Sequence, residues 1–194
     1  AAALTAHIPT ETLVAAAAAT VARNQQVTEF TTDAGVDLVS MGGTKIGALA
    51  AEAVIVTDTS SARGKALAEA MPFLRKTSMQ LSSKMRFMSA QLIALFENNA
   101  ALAIENATRA NSMAKLLHEG VVKIAAENAS VSVENPAEAN AVFPVLPKEI
   151  TQRLQQQYRF YVWNQETGQV RWMCSWDTTE DDVLGILAAL KAAL

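Results

Sequence analysis

The segment VDLVSMGGTKIGALAAEAVIV, residues 36–56, indicates two strands joined by a glycine-rich loop. The apolar runs VDLVS and AVIV flank the loop, and three of the chain's eight glycines, Gly42, Gly43 and Gly47, surround Lys45. Glycine lets the backbone approach a flat ring or a phosphate without collision from a Cβ atom. We therefore predict two buried strands, with a loop between them that carries the lysine.

Lys45 is the candidate for chemistry in this loop. A lysine held between buried strands is shielded from water, and desolvation favours the neutral amine, which is the nucleophilic form. A neutral amine forms an imine with a carbonyl, and the commonest enzymatic partner is the aldehyde of pyridoxal phosphate. Thr44 offers a hydroxyl to the phosphate, whereas a Walker A loop is excluded because threonine precedes the lysine here. The alternative is a hairpin loop whose lysine points into solvent.

The bulk properties exclude several classes of protein. The net charge of -3 over 194 residues gives no basic surface for nucleic acid or for an anionic membrane. The apolar run at 13–22 is too short and too alanine-rich to span a bilayer. A single cysteine, Cys174, excludes an internal disulfide framework and fits a reducing compartment. We expect a cytoplasmic α/β protein that binds neither nucleic acid nor a membrane.

The chain reads as three segments. Residues 1–64 open with an alanine-rich helix after Pro9, without an initiator methionine, so we expect the chain to begin inside a larger protein. Residues 65–127 form a connection whose pattern is helical almost throughout to about residue 126. One apolar stripe recurs in it at three- and four-residue steps: Met85, Met88, Leu92, Leu95 and Phe96. Residues 128–194 alternate strands and helices, which predicts a small α+β domain.

The last segment carries the clearest local signals. YRFYVW and QVRWMCSW form a predicted β-hairpin with Gly168 in the turn, after a short helix at 149–157. Thr178 or Thr179, followed three residues later by an aspartate, starts a final helix as a capping box. Its apolar residues keep helical spacing: Val183, Ile186, Leu187, Leu190 and Leu194.

Two arginines are further candidates. Arg171 lies mid-strand, where alternation buries one face, and arginine holds a carboxylate through two parallel hydrogen bonds. The alternative is a surface ion pair. Arg86 cannot share a helical face with Lys84, so one of the two points inward or toward a partner subunit, where a phosphate suits arginine. The alternative is a solvated charge. His7 and His118 have no partners at metal-ligand spacing, so we predict no metal site.

Five motifs, in order, resemble the second half of the low-specificity L-threonine aldolases. They are TTDAGVDLVSMGGTKIGALAAEAVIV, QLSSKMRFMSAQ, EANAVFPVLP, YRFYVW and VRWMCSWDTTEDDV, and they cover the chain from about residue 30 to its end. The resemblance implies an α/β fold, the C-terminal part of a fold-type I pyridoxal-phosphate-dependent transferase-like fold. That part comprises the end of the large cofactor-binding domain and a small α+β domain.

The resemblance also implies roles for individual residues. Lys45 would be the Schiff-base lysine, and Thr44 would lie near the phosphate. Arg86 would reach the phosphate across a subunit interface, with Lys76 as a weaker companion, and Arg171 would bind the substrate α-carboxylate. The implied reaction is the retro-aldol cleavage of L-threonine or L-allo-threonine to glycine and acetaldehyde, in a homo-oligomer that is a dimer or a tetramer.

Two departures from the family pattern limit the resemblance. Ile46 replaces the asparagine that usually follows the lysine, and the family's cofactor-stacking histidine and D-G-[AS]-R motif are not in this sequence. We therefore expect a partial chain, whose site is completed elsewhere. The alternatives are another fold-type I enzyme, either a β-hydroxy-amino-acid lyase or an aminotransferase, and a non-catalytic remnant that serves as an interaction module.

Overall fold

The computed structural model describes residues 31–194. The predicted helix after Pro9 and the histidine at position 7 lie outside the described residues. The chain divides into two compact units, of which one ends at Glu105 and the other runs from Asn106 to Leu194. This division falls inside the segment 65–127 that the sequence predicts as a helical connection.

The N-terminal unit contains a β-hairpin. Strands β1 (Leu38–Gly42) and β2 (Glu52–Val56) pair antiparallel. Both strands were predicted, and β1 begins two residues later than expected because a turn that ends at Gly35 precedes it, with φ of 76° at that glycine. In the two strands only Gly42 is buried. The expectation of two buried strands is therefore wrong, since the described residues leave most of the hairpin accessible.

The segment TDTSSARG at 57–64 has the composition of a turn, and helix α1 (Ala62–Thr77) begins within it. The Ser61 hydroxyl caps it by accepting a hydrogen bond from the Gly64 amide at 3.1 Å. Gly64 is buried, and a Cβ atom there would lie 1.6 Å from the Asp58 carbonyl oxygen. Only glycine therefore fits this first helical turn.

Helix α2 (Met85–Glu127) contains a break at Glu97–Ala100. Asn98, Asn99 and Ala100 all have positive φ, a region that asparagine tolerates better than most residues. The prediction of helix from 65 to 126 is thus confirmed, with interruptions at 78–84 and 97–100. The predicted apolar stripe is the less exposed side of α2 before the break: Met85, Met88, Leu92, Leu95 and Phe96.

Helix α2 is also long and apolar enough to cross a membrane by length and composition alone. An 18-residue window within it has a mean hydropathy of 1.2. The core helices of proteins that never enter a membrane reach the same value, and the C-terminal part of α2 does pack in a core. The absence of a membrane partner stays a prediction.

The C-terminal unit is a three-stranded antiparallel sheet packed with helices. Its strands β3 (Ala141–Val142), β4 (Tyr161–Asn164) and β5 (Gln169–Met173) lie in the order β3-β5-β4. The predicted hairpin is confirmed, and Gly168 has φ of 74° in its turn. The short predicted helix is α3 (Lys148–Leu154), which starts one residue before the expected position.

The final helix, α4 (Glu180–Ala193), starts at the predicted capping box. The Thr179 hydroxyl accepts a hydrogen bond from the Asp182 amide at 3.2 Å, and the Asp182 carboxylate accepts one from the Thr179 amide at 2.9 Å. Hydrogen bonds from the Thr179 hydroxyl and amide lower the pKa of Asp182. These reciprocal bonds satisfy donors that the start of a helix leaves unpaired.

The hydrophobic core of this unit joins the sheet to α2, α3 and α4. Three members of the predicted stripe on α4 are buried, but Leu194 is 42% exposed, and Ala193 takes the last buried position. The fully buried side chains come from α2, β3, β5, α4 and the segment after β3: Val121, Val142, Pro144, Val170, Val183 and Leu190.

Candidate functional site

The Lys45 loop is a short 3₁₀ turn, Thr44–Ile46, between β1 and β2. The Gly43 amide donates to the Ala51 carbonyl at 2.6 Å, and the Gly43 carbonyl accepts from the amides of Ile46 and Ala48 at 3.1 and 3.0 Å. Gly47 ends the turn with φ of 116°, which L side chains rarely adopt. The loop therefore has a defined backbone, fixed at both ends.

Lys45 and Ile46 point to opposite environments. The lysine side chain is exposed, whereas Ile46 is only 3% exposed. The expectation of a water-shielded lysine is therefore wrong, and the alternative of a solvent-facing lysine describes this structure. The buried apolar side chain of Ile46 anchors the loop, and this burial explains why an isoleucine occupies the position.

A side chain at either of two loop glycines would crowd its neighbours. A Cβ atom at Gly42 would lie 2.6 Å from the Glu52 carboxylate, and one at Gly43 would lie 3.0 Å from the Ala48 Cβ and 3.3 Å from Leu92 Cδ2. The close packing of this loop gives both glycines a role that does not depend on a bound ring or phosphate. Their spacing is thus weaker support for a cofactor than the sequence indicated.

Gln91 contacts this loop, although no sequence pattern indicated it. Its side-chain oxygen accepts a hydrogen bond from the Leu49 amide at 2.7 Å, so α2 holds the loop from the side. Gln91 lies within the motif QLSSKMRFMSAQ, which the resemblance had singled out only for its arginine. Nothing in the local pattern predicts a bond that spans 42 residues.

The other predicted phosphate ligands lie in the same unit. Lys76 is in the last turn of α1, and Arg86 is in the first turn of α2, with its guanidinium carbon 4.8 Å from the centroid of the Phe87 ring. The side chains of Thr44, Lys45, Lys76 and Arg86 are all exposed. Three cations and a hydroxyl are therefore open to solvent on this unit.

Arg171 belongs to the C-terminal unit. As the predicted alternation requires, Val170 and Trp172 on either side of it are buried. Arg171 lies on the other face, half-buried, with Nη2 3.0 Å from Met173 Sδ and its guanidinium carbon 5.5 Å from the centroid of the Trp163 ring. Among the described residues no carboxylate forms an ion pair with it.

A cavity of about 340 Å³ lies beside Arg171 within the same unit. Its walls are mostly aromatic and apolar, with Tyr158, Phe160 and Trp172 among them, and Cys174 lies in the wall as well. Burial raises the pKa of the Cys174 thiol to about 11, so the thiol stays protonated. Cys174 is therefore a packed thiol rather than a nucleophile.

Within residues 31–194, no three His, Cys, Asp or Glu side chains are placed together to hold a metal ion.

Comparisons with known proteins give the chain its relatives. No family model matches. A low specificity L-threonine aldolase of Pseudomonas sp. (strain NCIMB 10558) is 35% identical over 167 residues, which are 86% of this chain and 44% of that protein. A second low specificity L-threonine aldolase, of Pseudomonas aeruginosa, is 37% identical over 151 residues, which are 77% of this chain and 40% of that protein. The chain is a homologue of part of these threonine aldolases. It spans less than half the length of each of these relatives.

A solved structure supports the same fold. The threonine aldolase of Leishmania major matches with a TM-score of 0.62 at 24% identity, over 81% of this chain and 43% of that one. The predicted α/β fold class, part of a fold-type I fold, is confirmed. The roles of Lys45, Thr44, Arg86, Lys76 and Arg171 stay predictions.

Proposed function

We propose that this chain is part of a pyridoxal-phosphate-dependent lyase that cleaves L-threonine or L-allo-threonine into glycine and acetaldehyde. The observation that carries the proposal is the 35% identity to a low specificity L-threonine aldolase over 86% of the chain. Because the chain spans 44% of that relative, the activity would belong to an assembly in which further polypeptide completes the site.

The donor set of the N-terminal unit fits pyridoxal phosphate. An aldehyde needs an accessible amine, and Lys45 presents one on a loop whose backbone is fixed. A phosphate needs cations and hydrogen-bond donors, and Thr44, Lys76 and Arg86 present them on exposed side chains. Lys45 would hold the cofactor through Nζ, and the other three would bind its phosphate.

In the reaction, this chain would mainly bind and orient. Bound pyridoxal phosphate supplies an electron sink for the carbanion that forms when the bond between Cα and Cβ breaks. Arg171 would hold the α-carboxylate through two parallel N–H···O bonds, which fixes the amino acid for cleavage of that bond. Lys45 Nζ, exposed on its loop, would accept and return a proton as the amino acid enters and glycine leaves.

The proposal also covers the oligomeric state and the cellular location of the enzyme. Large apolar side chains are exposed on the N-terminal unit, with Leu49 at 87%, Phe73 at 73% and Met79 at 89%, and such surface supports a homo-oligomer, a dimer or a tetramer. The single buried cysteine supports a cytoplasmic location. The same exposed surface is the observation that favours the second candidate function, a non-catalytic interaction module.

An imine between Lys45 and the aldehyde would separate the two candidates. We expect the full chain mixed with pyridoxal phosphate to develop an absorbance band at roughly 410–430 nm, where protonated imines absorb. Borohydride reduction and peptide mapping should then place the adduct on Lys45. Lys84→Ala removes an exposed lysine of the same unit and should leave the band unchanged, whereas Lys45→Ala should abolish it.

An adduct spread over several lysines, or an unchanged band in Lys45→Ala, would remove the basis for the enzyme and favour the interaction module. Lyase activity is a separate readout. It is measured as acetaldehyde released from L-threonine after this chain is mixed with a polypeptide from the Pseudomonas sp. (strain NCIMB 10558) relative, namely the part of that protein that this chain does not match.

A further inference from the structure

Arg171 lies on a sheet face that is rich in aromatic and sulfur side chains. Trp163 lies on one side of the guanidinium, 5.5 Å from ring centroid to guanidinium carbon, and Met173 Sδ lies 3.0 Å from Nη2. Neither neighbour carries a charge. The arginine is thus held near the sheet without being neutralised.

The strand pairing explains why Trp163 reaches Arg171. Tyr161 lies directly opposite Arg171 in the β4–β5 pair, and the register shifts between Val162 and Asn164, at Trp163. Trp163 follows Tyr161 by two residues, so strand alternation places both on the same face as Arg171. A diagonal cross-strand neighbour is within reach of an aromatic side chain, as the contact between Trp163 and Arg171 shows.

The Trp163 ring also packs against an aromatic ring from the other edge of the sheet. Phe143 follows β3, the other neighbour of β5, and its ring lies edge-on to Trp163, with centroids 5.5 Å apart and an angle of 66°. Edge-to-face pairs are a favoured aromatic geometry. Phe143 and Trp163, which come from opposite edges of the sheet, therefore meet on the face that carries Arg171 of the central strand.

We propose that Trp163, braced by Phe143, is a positioning residue that holds the Arg171 guanidinium ready to bind a carboxylate. The inference rests on the proposed role of Arg171 toward the α-carboxylate of the amino acid. A cation–π contact does not use the N–H groups of the guanidinium, so those that do not face Met173 Sδ stay available. A carboxylate partner in this chain would instead occupy the N–H fork and compete with the substrate.

The test begins with the arginine itself and needs no cofactor. In the 15N-labelled full chain, the Nε–Hε resonance of Arg171, identified by its loss in Arg171→Lys, should be displaced by the ring current of Trp163. Trp163→Leu should move that resonance toward the position of a solvated arginine, and Trp163→Phe should keep part of the displacement. Trp176→Leu removes another partly exposed tryptophan near the same strand and should leave the resonance in place.

Carboxylate affinity is the functional readout. Acetate should perturb the Arg171 resonance, and ethylamine, which has no carboxylate, should not. Trp163→Leu should weaken acetate binding by about two- to fivefold, the range of an exposed cation–π contact, and Trp163→Phe should restore most of it. Circular dichroism and the thermal midpoint establish that each variant is folded.

The outcomes separate this inference from the proposed function. If Trp163→Leu is folded and its Arg171 resonance and acetate affinity match those of the native chain, Trp163 does not position the arginine. If acetate never perturbs Arg171, the proposed carboxylate role fails and the inference fails with it. If acetate binds as expected but no Lys45 imine forms, the positioning role stands and the proposed lyase does not.

Discussion

Gly120 of α2 lies directly against Leu187 of α4. A Cβ atom at position 120 would stand 2.2 Å from Leu187 Cδ1 and 3.1 Å from its Cγ. Leu187 is 9% exposed and belongs to the core of the C-terminal unit, so its side chain has little room to withdraw. The two helices approach this closely because position 120 has no side chain.

Gly120→Val should therefore destabilise the C-terminal unit. Overpacking a core costs about 1–3 kcal/mol, which outweighs what a helix gains when glycine is replaced. The free energy of unfolding from urea titration measures the loss. Gly120→Ala and Gly185→Ala, each adding one Cβ to a helix, form the matched pair. The Cβ at position 185 would lie 3.3 Å from the Tyr158 hydroxyl, which a small movement of that side chain relieves, so Gly185→Ala should cost less stability than Gly120→Ala.

Gly64→Ala should loosen the start of α1. The new Cβ would lie 1.6 Å from the Asp58 carbonyl oxygen, which belongs to the backbone and cannot rotate away. We expect a loss of about 1–3 kcal/mol and faster hydrogen exchange at the amides of residues 58–64. Exchange at the native rate in this variant would show that the turn accommodates a side chain.

Asp182 makes the start of α4 sensitive to acid. Hydrogen bonds from Thr179 lower its pKa below 3.8 in the folded chain. A lowered folded-state pKa means that the stabilisation is present above the unfolded value and is lost as the pH falls through the folded value. Asp182→Asn should thus lower the thermal midpoint at pH 7, and this difference should shrink below about pH 4.

Thr179→Ala separates the cap itself from the charge. Loss of the hydroxyl should lower the free energy of unfolding by about 1 kcal/mol at neutral pH, since the Asp182 amide loses its acceptor.

The pH series of Asp182→Asn has a contradicting outcome as well. If the thermal midpoint of this variant differs from that of the native chain by the same amount at pH 3 as at pH 7, the carboxylate has no role in the capping box.

Cys174 should react slowly with disulfide reagents in the folded chain. Its thiol is 3% exposed, and burial raises its pKa to about 11, whereas only the thiolate attacks. With 5,5'-dithiobis(2-nitrobenzoic acid) at pH 8, we expect labelling at least about 100-fold slower than in denaturant, from the smaller thiolate fraction alone. Since the chain has one cysteine, each labelling event reports this site. Rapid labelling of the folded chain would contradict its burial.

Local signals predicted the C-terminal unit well. In the hairpin at 161–173, burial alternates along β5 and Gly168 has a positive φ in the turn. Thr179 and Asp182 form a capping box that is visible as a four-residue pattern. These features depend on neighbours in the chain. They could therefore be predicted from the sequence.

The misses have a common physical origin. The break in α2 at Asn98, Asn99 and Ala100 contains neither glycine nor proline, so no local signal announces it. The strands around Lys45 have the composition of buried strands, but composition does not say what covers them. Gln91 reaches the loop from 42 residues away, a contact that no pattern within one element reveals.

The adjacent positions 45 and 46 couple an exposed amine to a buried anchor. Ile46 is 3% exposed and anchors the turn that displays Lys45. An asparagine at position 46 would place an amide in that apolar site, where an unpaired polar group is costly. The polarity of the residue after the lysine therefore affects the stability of the turn, and through it the position of the Lys45 amine.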